Sequence, residues 1–179
     1  MSDRIRLARQ TTVAACQALL AIEPLLAGEA EDLLAVMRRS AAQPATRLIG
    51  VVGDDGRLVG VLPILRLAES VVARVAPESL LADITDIADV ARFGHAVEAR
   101  TVRDAMLAPA SISAGASIGE AFRLMHQRRL SGLYVVDPDG RPTGYLDLLE
   151  LAMTYVEALE GSSALDLGDT RTPDPGQPR

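Results

Sequence analysis

The chain has 179 residues and a formal net charge of −6, and 49% of its residues are hydrophobic but only 3% are aromatic. Its 18 basic residues are all arginine and are outnumbered by 24 acidic ones, so nucleic-acid binding through phosphate neutralisation is not expected. A single cysteine, Cys16, excludes an internal disulfide and a thiolate-rich zinc site. The longest apolar runs are too short to cross a bilayer. We therefore expect a reduced, cytoplasmic protein with an aliphatic core, no resident metal and no membrane insertion.

An internal repeat is the most informative feature of the sequence. Residues 48–62 align with residues 132–146 at an offset of 84, and Val-Val, Asp-Gly-Arg and a later Gly coincide in the two copies. Each copy consists of two short apolar runs joined by an Asp-Gly turn, a pattern that predicts a β-hairpin with Gly at a positive φ. The sequence therefore predicts two copies of one hairpin.

Helical apolar spacing precedes and follows each hairpin, so that the repeated unit is predicted to be strand, helix, strand, strand, helix. The first helices are expected within residues 29–39 and 117–127, and the helices after the hairpins within 64–73 and 148–158. The last residues are rich in Gly, Ser, Asp, Pro and Thr, a composition typical of disorder. The predicted organisation is a first repeat at 11–73, a helical connection at 74–100, a second repeat at 101–160 and a disordered tail at 161–179.

The second copy resembles a CBS domain, the module named after cystathionine β-synthase, over nearly its whole length. The first copy is more divergent but placed as expected, so the chain resembles a CBS pair, or Bateman module. The segments that carry the resemblance in the second copy are Thr101–Met106, Ala116–Ala121, Leu133–Arg141 and Gly144–Leu146.

The resemblance implies an α/β (α+β) fold of two tandem βαββα repeats related by a pseudo-twofold axis. In many relatives the clefts between the repeats bind adenosine-containing ligands such as AMP, ATP, adenosine or S-adenosylmethionine, and for this chain we expect such a ligand in a regulatory role and no catalytic cofactor. The resemblance also implies face-to-face association of two modules into a homodimer. Carried over to this sequence, the ligand-binding candidates are Ser111, Gly132, Leu133, Tyr134, Gly144, Asp147 and Glu150.

The chain departs from the family pattern where the last strand meets the following helix, at the position that usually places a hydroxyl on phosphate and an acid on ribose. In the second copy these positions hold Asp147 and Glu150, and in the first they hold Pro63 and Arg66. Asp147 would repel phosphate at contact distance, and with Glu150 it also fits a helix capping box. Arg66 opposes the dipole of a helix start, so a solvated or intersubunit ion-paired side chain is expected.

The segment between the copies, residues 77–98, predicts an amphipathic helix. Asp83, Asp86 and Asp89 recur every third residue and would share one face. The simpler interpretation is a solvated acidic face. The alternative is a weak magnesium site, since hard oxygen ligands suit that ion and the pair resembles the cytosolic modules of some magnesium transporters.

Catalytic motifs are weak. Residues 115–119 match the Gly-x-Ser-x-Gly pattern of a nucleophile elbow, but no strand pattern leads into it, and Ser117 is better explained as a helix N-cap. His95 and His126 are isolated, His126 is expected at the surface, and Cys16 is expected to be a buried, inert thiol. We therefore expect no catalytic residues and no enzymatic activity.

Two functional hypotheses follow from these observations. In the first, the module senses an adenosine-type ligand and thereby regulates a partner protein. In the second, it is a degenerate, ligand-free CBS pair that serves as a dimerisation or docking scaffold. In both, the expected dimer contact lies on the helices after the hairpins, with candidate side chains Leu65, Leu67, Val71, Val72, Leu148, Leu151, Ala152, Met153 and Tyr155.

Overall fold

A computed structural model describes residues 10–17, 22–76, 78, 86–153 and 156. The predicted tail at 161–179 lies outside these residues. A further helical segment begins directly after the last strand and includes residues 148–153. In chain order the elements are α1 (Val13–Gln17), β1 (Leu26–Gly28), α2 (Leu33–Ala42), β2 (Leu48–Val52), β3 (Leu58–Pro63), α3 (Ile64–Val75), α4 (Ile87–Glu98), α5 (Val102–Ala105), β4 (Ser111–Ser113), α6 (Ile118–Arg128), β5 (Gly132–Val136) and β6 (Pro142–Asp147).

The two repeats have the same sheet topology. Each sheet has three strands, in the orders β1-β2-β3 and β4-β5-β6, with a parallel first pair and an antiparallel hairpin. The hairpins also share their irregularity, because the register shifts after Val51 in the first and after Val135 in the second. The predicted α+β fold with two βαββα units is confirmed.

The Asp-Gly turns adopt the predicted backbone. Gly56 has φ 77° and Gly140 has φ 82°, values that side-chain-bearing residues rarely adopt. The two turns also meet, since the Leu58 amide donates to the Gly140 carbonyl at 2.9 Å. The hairpin tips therefore join the two repeats at one end of their interface.

The segments that lead into the repeats are exchanged between them. Thr12 forms a bridge with Ser117, just before helix α6, and Thr101 forms the equivalent bridge with Asp32, just before helix α2. The two bridges occupy equivalent positions of the two repeats, in agreement with the pseudo-twofold axis that the resemblance implies. Each repeat is therefore completed by residues that precede the other.

The hydrophobic core follows the same exchange. One cluster centres on β5 and β6 and includes Val13 and Leu48. The other centres on β2 and β3 and includes Ala99 from the connection and Val102 from the start of the second repeat. Because neither core is closed by one repeat alone, the two repeats fold as an interlocked pair.

Helix α4 packs against α3. Two of the three regularly spaced acids of the connection lie at the start of this helix. Asp86 caps the helix by accepting from the Asp89 amide, and Asp89 pairs with Arg92 at 2.8 Å. Asp83 lies outside the described residues. Within the described residues, neither a metal-binding cluster nor a helix long and apolar enough to cross a bilayer is found.

Candidate functional site

The corner between β6 and the following helix brings together three of the predicted ligand-binding residues. Gly132 pairs with Asp147 across the hairpin, and the Leu148 amide donates to the Ser131 carbonyl at 2.8 Å. Glu150 follows in the first turn, and its amide lies 3.4 Å from Asp147 Oδ1. We refer to Gly132, Asp147 and Glu150 with their neighbours as the second-repeat corner.

Asp147 is buried, with only 1% of its surface exposed, and its carboxylate is held by several donors. Oδ1 accepts from the Leu149 amide at 2.9 Å and from the Glu150 amide, and Oδ2 accepts from the Tyr145 hydroxyl at 3.3 Å. The Asp147 half of the predicted capping box is therefore present. The backbone donors that a bound anion would use here already face a carboxylate of the chain itself.

The positive charge beside Asp147 comes from the first repeat. Arg47 precedes β2, and its Nη1 lies 3.4 Å from Asp147 Oδ1. Sequence reasoning missed this residue. In the repeat alignment Arg47 is equivalent to Ser131, which lies next to Gly132 in the second-repeat corner, and this equivalence could have drawn attention to Arg47.

Two tyrosines occupy the space between the repeats. Tyr134 and Tyr145 lie directly opposite each other in the hairpin, with ring centroids 5.4 Å apart. The Tyr134 hydroxyl donates to the carbonyls of Leu25 at 2.7 Å and Leu48 at 3.1 Å, both in the first repeat. Burial raises the pKa of both phenols, and the negative charge of Asp147 adds to the rise for Tyr145. Both side chains are therefore neutral hydrogen-bond donors at physiological pH.

Glu150 is half-buried beside this cluster. Burial raises the pKa of its carboxyl, the nearby charge of Asp147 raises it further, and Arg47 partly opposes both effects. The carboxyl is therefore more easily protonated than an exposed glutamate.

The remaining predicted site residues lie along the same sheet. Ser111 pairs with Tyr134 in the parallel ladder and is partly exposed, whereas Leu133 is fully buried in the core. Gly144 pairs with Val135, three residues before the corner. Ser111, Tyr134 and Gly144 thus lie further along the sheet from the corner, and the Leu133 side chain points into the core.

The equivalent corner of the first repeat is built differently. Pro63 precedes α3 without a side-chain cap, and Arg66 Nε donates to the Ala105 carbonyl at 2.6 Å. Arg66 is half-buried and its guanidinium caps the end of α5 within the chain, so the expectation of a solvated side chain is wrong, whereas pairing across subunits stays a prediction. A cavity of about 250 Å³ adjoins Arg66, lined by polar side chains that include Glu69 and His95.

The residues considered for catalysis have structural roles or exposed positions. Ser117 forms a complete capping box with Glu120, as predicted for an N-cap. His95 and His126 are exposed. Cys16 is half-buried rather than buried, and burial raises the pKa of its thiol, which disfavours the nucleophilic thiolate.

Comparison with known proteins identifies the fold. The CBS domain family model matches residues 102–157. The second repeat therefore matches the CBS domain family, and the chain has the fold of a CBS pair. A CBS domain-containing protein from Thermotoga maritima is 20% identical, with a TM-score of 0.66 over 83% of this chain and 96% of that chain. None of the curated proteins matches the sequence.

Two further CBS pairs of similar fold have been solved with ligands. The CBS pair of MJ0100, in complex with 5′-methylthioadenosine and S-adenosyl-L-methionine, is 13% identical with a TM-score of 0.59, over 83% of this chain and 98% of that one. CBSX2 from Arabidopsis thaliana, in complex with AMP, is 16% identical with a TM-score of 0.59, over 82% and 97%. At these identities the likeness establishes the shared fold.

Proposed function

We propose that this CBS pair is a non-enzymatic regulatory module that senses an adenosine-containing ligand without phosphate groups, bound at the second-repeat corner. The observation that carries the proposal is the buried carboxylate of Asp147, which faces the backbone amides of Leu149 and Glu150. An incoming phosphate would meet a negative charge where it needs donors. Adenosine and the cationic S-adenosylmethionine meet no such repulsion. AMP and ATP therefore bind more weakly than these two ligands.

Each remaining part of the ligand has a candidate partner. Glu150 is one turn into the helix, where its carboxylate accepts hydrogen bonds from the two ribose hydroxyls. The base lies against the backbone of Gly132 to Tyr134, with Ser111 in the neighbouring strand β4. Binding shifts the packing of the two repeats by as much as the ligand prefers one arrangement over the other, which is how a regulated partner protein receives the signal.

The known complexes support this ligand class. The CBS pair of MJ0100 was solved with two adenosine derivatives, 5′-methylthioadenosine and S-adenosyl-L-methionine, neither of which carries a phosphate. CBSX2 was solved with AMP, so the fold itself accepts a phosphate. In this chain we attribute the choice between the two classes to Asp147, whose charge opposes a phosphate.

A thermal-shift panel tests the proposal. The full chain is heated with adenosine, S-adenosylmethionine, AMP, ATP or magnesium at matched ionic strength. A ligand present at 100 times its dissociation constant stabilises the folded state by about 2.7 kcal/mol. We expect stabilisation by adenosine or S-adenosylmethionine. No shift with any member of the panel contradicts the proposal.

A second candidate function, a ligand-free dimerisation or docking scaffold, is favoured by the surface of the helices after the hairpins. Leu65 is 71% exposed and Met153 is 50% exposed, although both are large apolar side chains. Exposed apolar side chains of this size indicate a protein contact. The expectation that Leu67, Val71 and Leu151 belong to this surface is wrong, because these side chains are buried in the chain's own core. A dimer that binds no panel member supports the scaffold.

A further inference from the structure

Among the ion pairs between described residues, one has a buried acid and partners from different repeats. Asp147 is 1% exposed, whereas the Arg47 side chain that pairs with it is 44% exposed. The pair joins residues that are 100 positions apart in the sequence. Among the described ion pairs, the acids of all the others are at least 19% exposed. The contact is therefore the place where the first repeat reaches a desolvated charge of the second.

The origin of the donors shows what Arg47 contributes. Leu149, Glu150 and Tyr145 hold the carboxylate with neutral groups, and all three belong to the second repeat. Among the described residues, Arg47 alone supplies a positive charge, and it comes from the first repeat. A carboxylate with little exposure is costly without a cation, so separating the repeats at this corner leaves Asp147 poorly compensated.

We propose that Arg47 and Asp147 form a latch between the repeats that also sets the ligand selectivity of the second-repeat corner. While the latch is closed, the charge of Arg47 is neutralised by Asp147, so a phosphate finds no available cation and meets the carboxylate. Removing that carboxylate releases Arg47 and converts the corner into a site that accepts anions. The claim about ligand selectivity rests on the proposed function. The claim that Arg47 and Asp147 hold the repeats together does not depend on any adenosine ligand.

Four proteins test the selectivity with inorganic phosphate as the probe, which separates it from the adenosine panel. They are the full-length wild type, Asp147→Asn, Arg47→Met and the double variant, each titrated with phosphate in a thermal-shift assay at constant ionic strength. Asparagine keeps the shape and the capping oxygen of aspartate but removes its charge. We expect Asp147→Asn to bind phosphate at least about ten-fold more tightly than the wild type, as expected for one charge-assisted hydrogen bond, and the double variant to lose this gain.

A matched pair controls for surface charge. Arg57 and Asp55 also lie 3.4 Å apart, but both are exposed and belong to one repeat. Asp55→Asn and Arg57→Met should leave phosphate binding unchanged. The selectivity is refuted if Asp147→Asn binds phosphate no better than the wild type, or if its gain survives Arg47→Met. Asp147→Thr, which also caps a helix, replaces Asp147→Asn if that variant does not fold.

The latch itself is tested by urea unfolding of the same four proteins. A latch predicts coupling, so Arg47→Met raises the unfolding equilibrium constant of the wild type several-fold but has little effect in the Asp147→Asn background. Equal effects of Arg47→Met in both backgrounds would show that Arg47 stabilises the fold independently of Asp147 and would refute the latch. Because no ligand is present, this result does not depend on whether the protein senses adenosine.

Discussion

Gly50 and Tyr134 stand at the same position of the two repeats and lie against each other across the pseudo-twofold axis. A Cβ added to Gly50 would lie 2.7 Å from the Tyr134 ring. The Tyr134 hydroxyl continues past this point to the carbonyls of Leu25 and Leu48. The repeats thus fit together because the first has no side chain at the position where the second has a large one. The pair is asymmetric at its centre.

The first prediction is that Gly50→Ala destabilises the protein by about 1 to 3 kcal/mol, the usual cost of overpacking a core. The methyl group has no free space, because Tyr134 and Leu26 both lie within 2.8 Å of it. Urea unfolding measures the change. Gly115→Ala is the matched control, because no atom lies within 4 Å of its added Cβ. Equal stability of Gly50→Ala and Gly115→Ala would show that Tyr134 does not pack as described.

The second prediction concerns the hairpin turn of the second repeat. Gly140 has φ 82° and open space around its Cβ position, so Gly140→Ala introduces backbone strain without a clash. We expect a loss of about 1 to 2 kcal/mol in the free energy of unfolding. Gly140→Asn should cost less, because asparagine tolerates the left-handed region better. Thermal unfolding of both variants checks the order, and an alanine variant as stable as the wild type would rule out the strain.

The third prediction follows from the raised pKa of Glu150. A carboxyl whose pKa is higher in the folded state than in the unfolded chain stabilises the folded protein while it is protonated. This stabilisation is complete below the pKa of the unfolded chain, ordinarily 4.5, and is lost as the pH rises through the pKa of the folded state. Glu150→Gln mimics the protonated form. We therefore expect the variant to gain stability relative to the wild type between pH 4 and 7.

Urea unfolding at several pH values across this range measures the difference between the two proteins. Glu98→Gln removes the same charge at an exposed position and serves as the control. A difference between Glu150→Gln and wild type that stays constant across the range would contradict the assigned direction.

The fourth prediction is that the protein is a homodimer through the exposed side chains of the helices after the hairpins. Light scattering at micromolar concentration should give twice the chain mass of 19.0 kDa. Leu65→Arg should shift the mass to that of one chain, because a buried unpaired charge is costly at an interface. Val90→Arg is the control, as Val90 is also exposed but lies on α4. A wild-type mass of one chain would exclude the dimer at that concentration.

The fifth prediction assigns the ribose to Glu150. Glu150→Ala should weaken binding of adenosine by about 10- to 150-fold, the equivalent of roughly 1.5 to 3 kcal/mol for charged hydrogen bonds. Glu150→Asp keeps the carboxylate of the family pattern and should retain most of the affinity. Calorimetry well below the melting temperature separates binding from fold stability. Equal affinity of the alanine variant and the wild type would remove Glu150 from the site.

The repeat made much of the fold predictable from sequence. The coincidence of Val-Val and Asp-Gly-Arg at one offset fixed both hairpins, and the need for glycine at a positive φ fixed their turns at Gly56 and Gly140. The role of Asp147 as a cap was also predictable, since it stands where a strand ends and a helix begins.

Contacts across the pseudo-twofold axis could not be predicted in the same way. Arg47 reaches Asp147 from 100 residues away, and no local pattern marks an arginine before a strand as the partner of a buried acid. Arg66 was expected at the surface because the sequence does not show that the end of α5 lies within reach of its guanidinium. Both contacts depend on how the repeats dock, which apolar periodicity does not report.

The most direct test of the central claim is the affinity of the wild-type chain for adenosine and for ATP, measured by calorimetry under identical salt. S-adenosylmethionine and AMP complete the series. We predict that affinity falls from adenosine or S-adenosylmethionine to AMP and then to ATP, because Asp147 disfavours each added phosphate charge. Tighter binding of ATP than of adenosine, or no binding of any of the four, would contradict the proposed function.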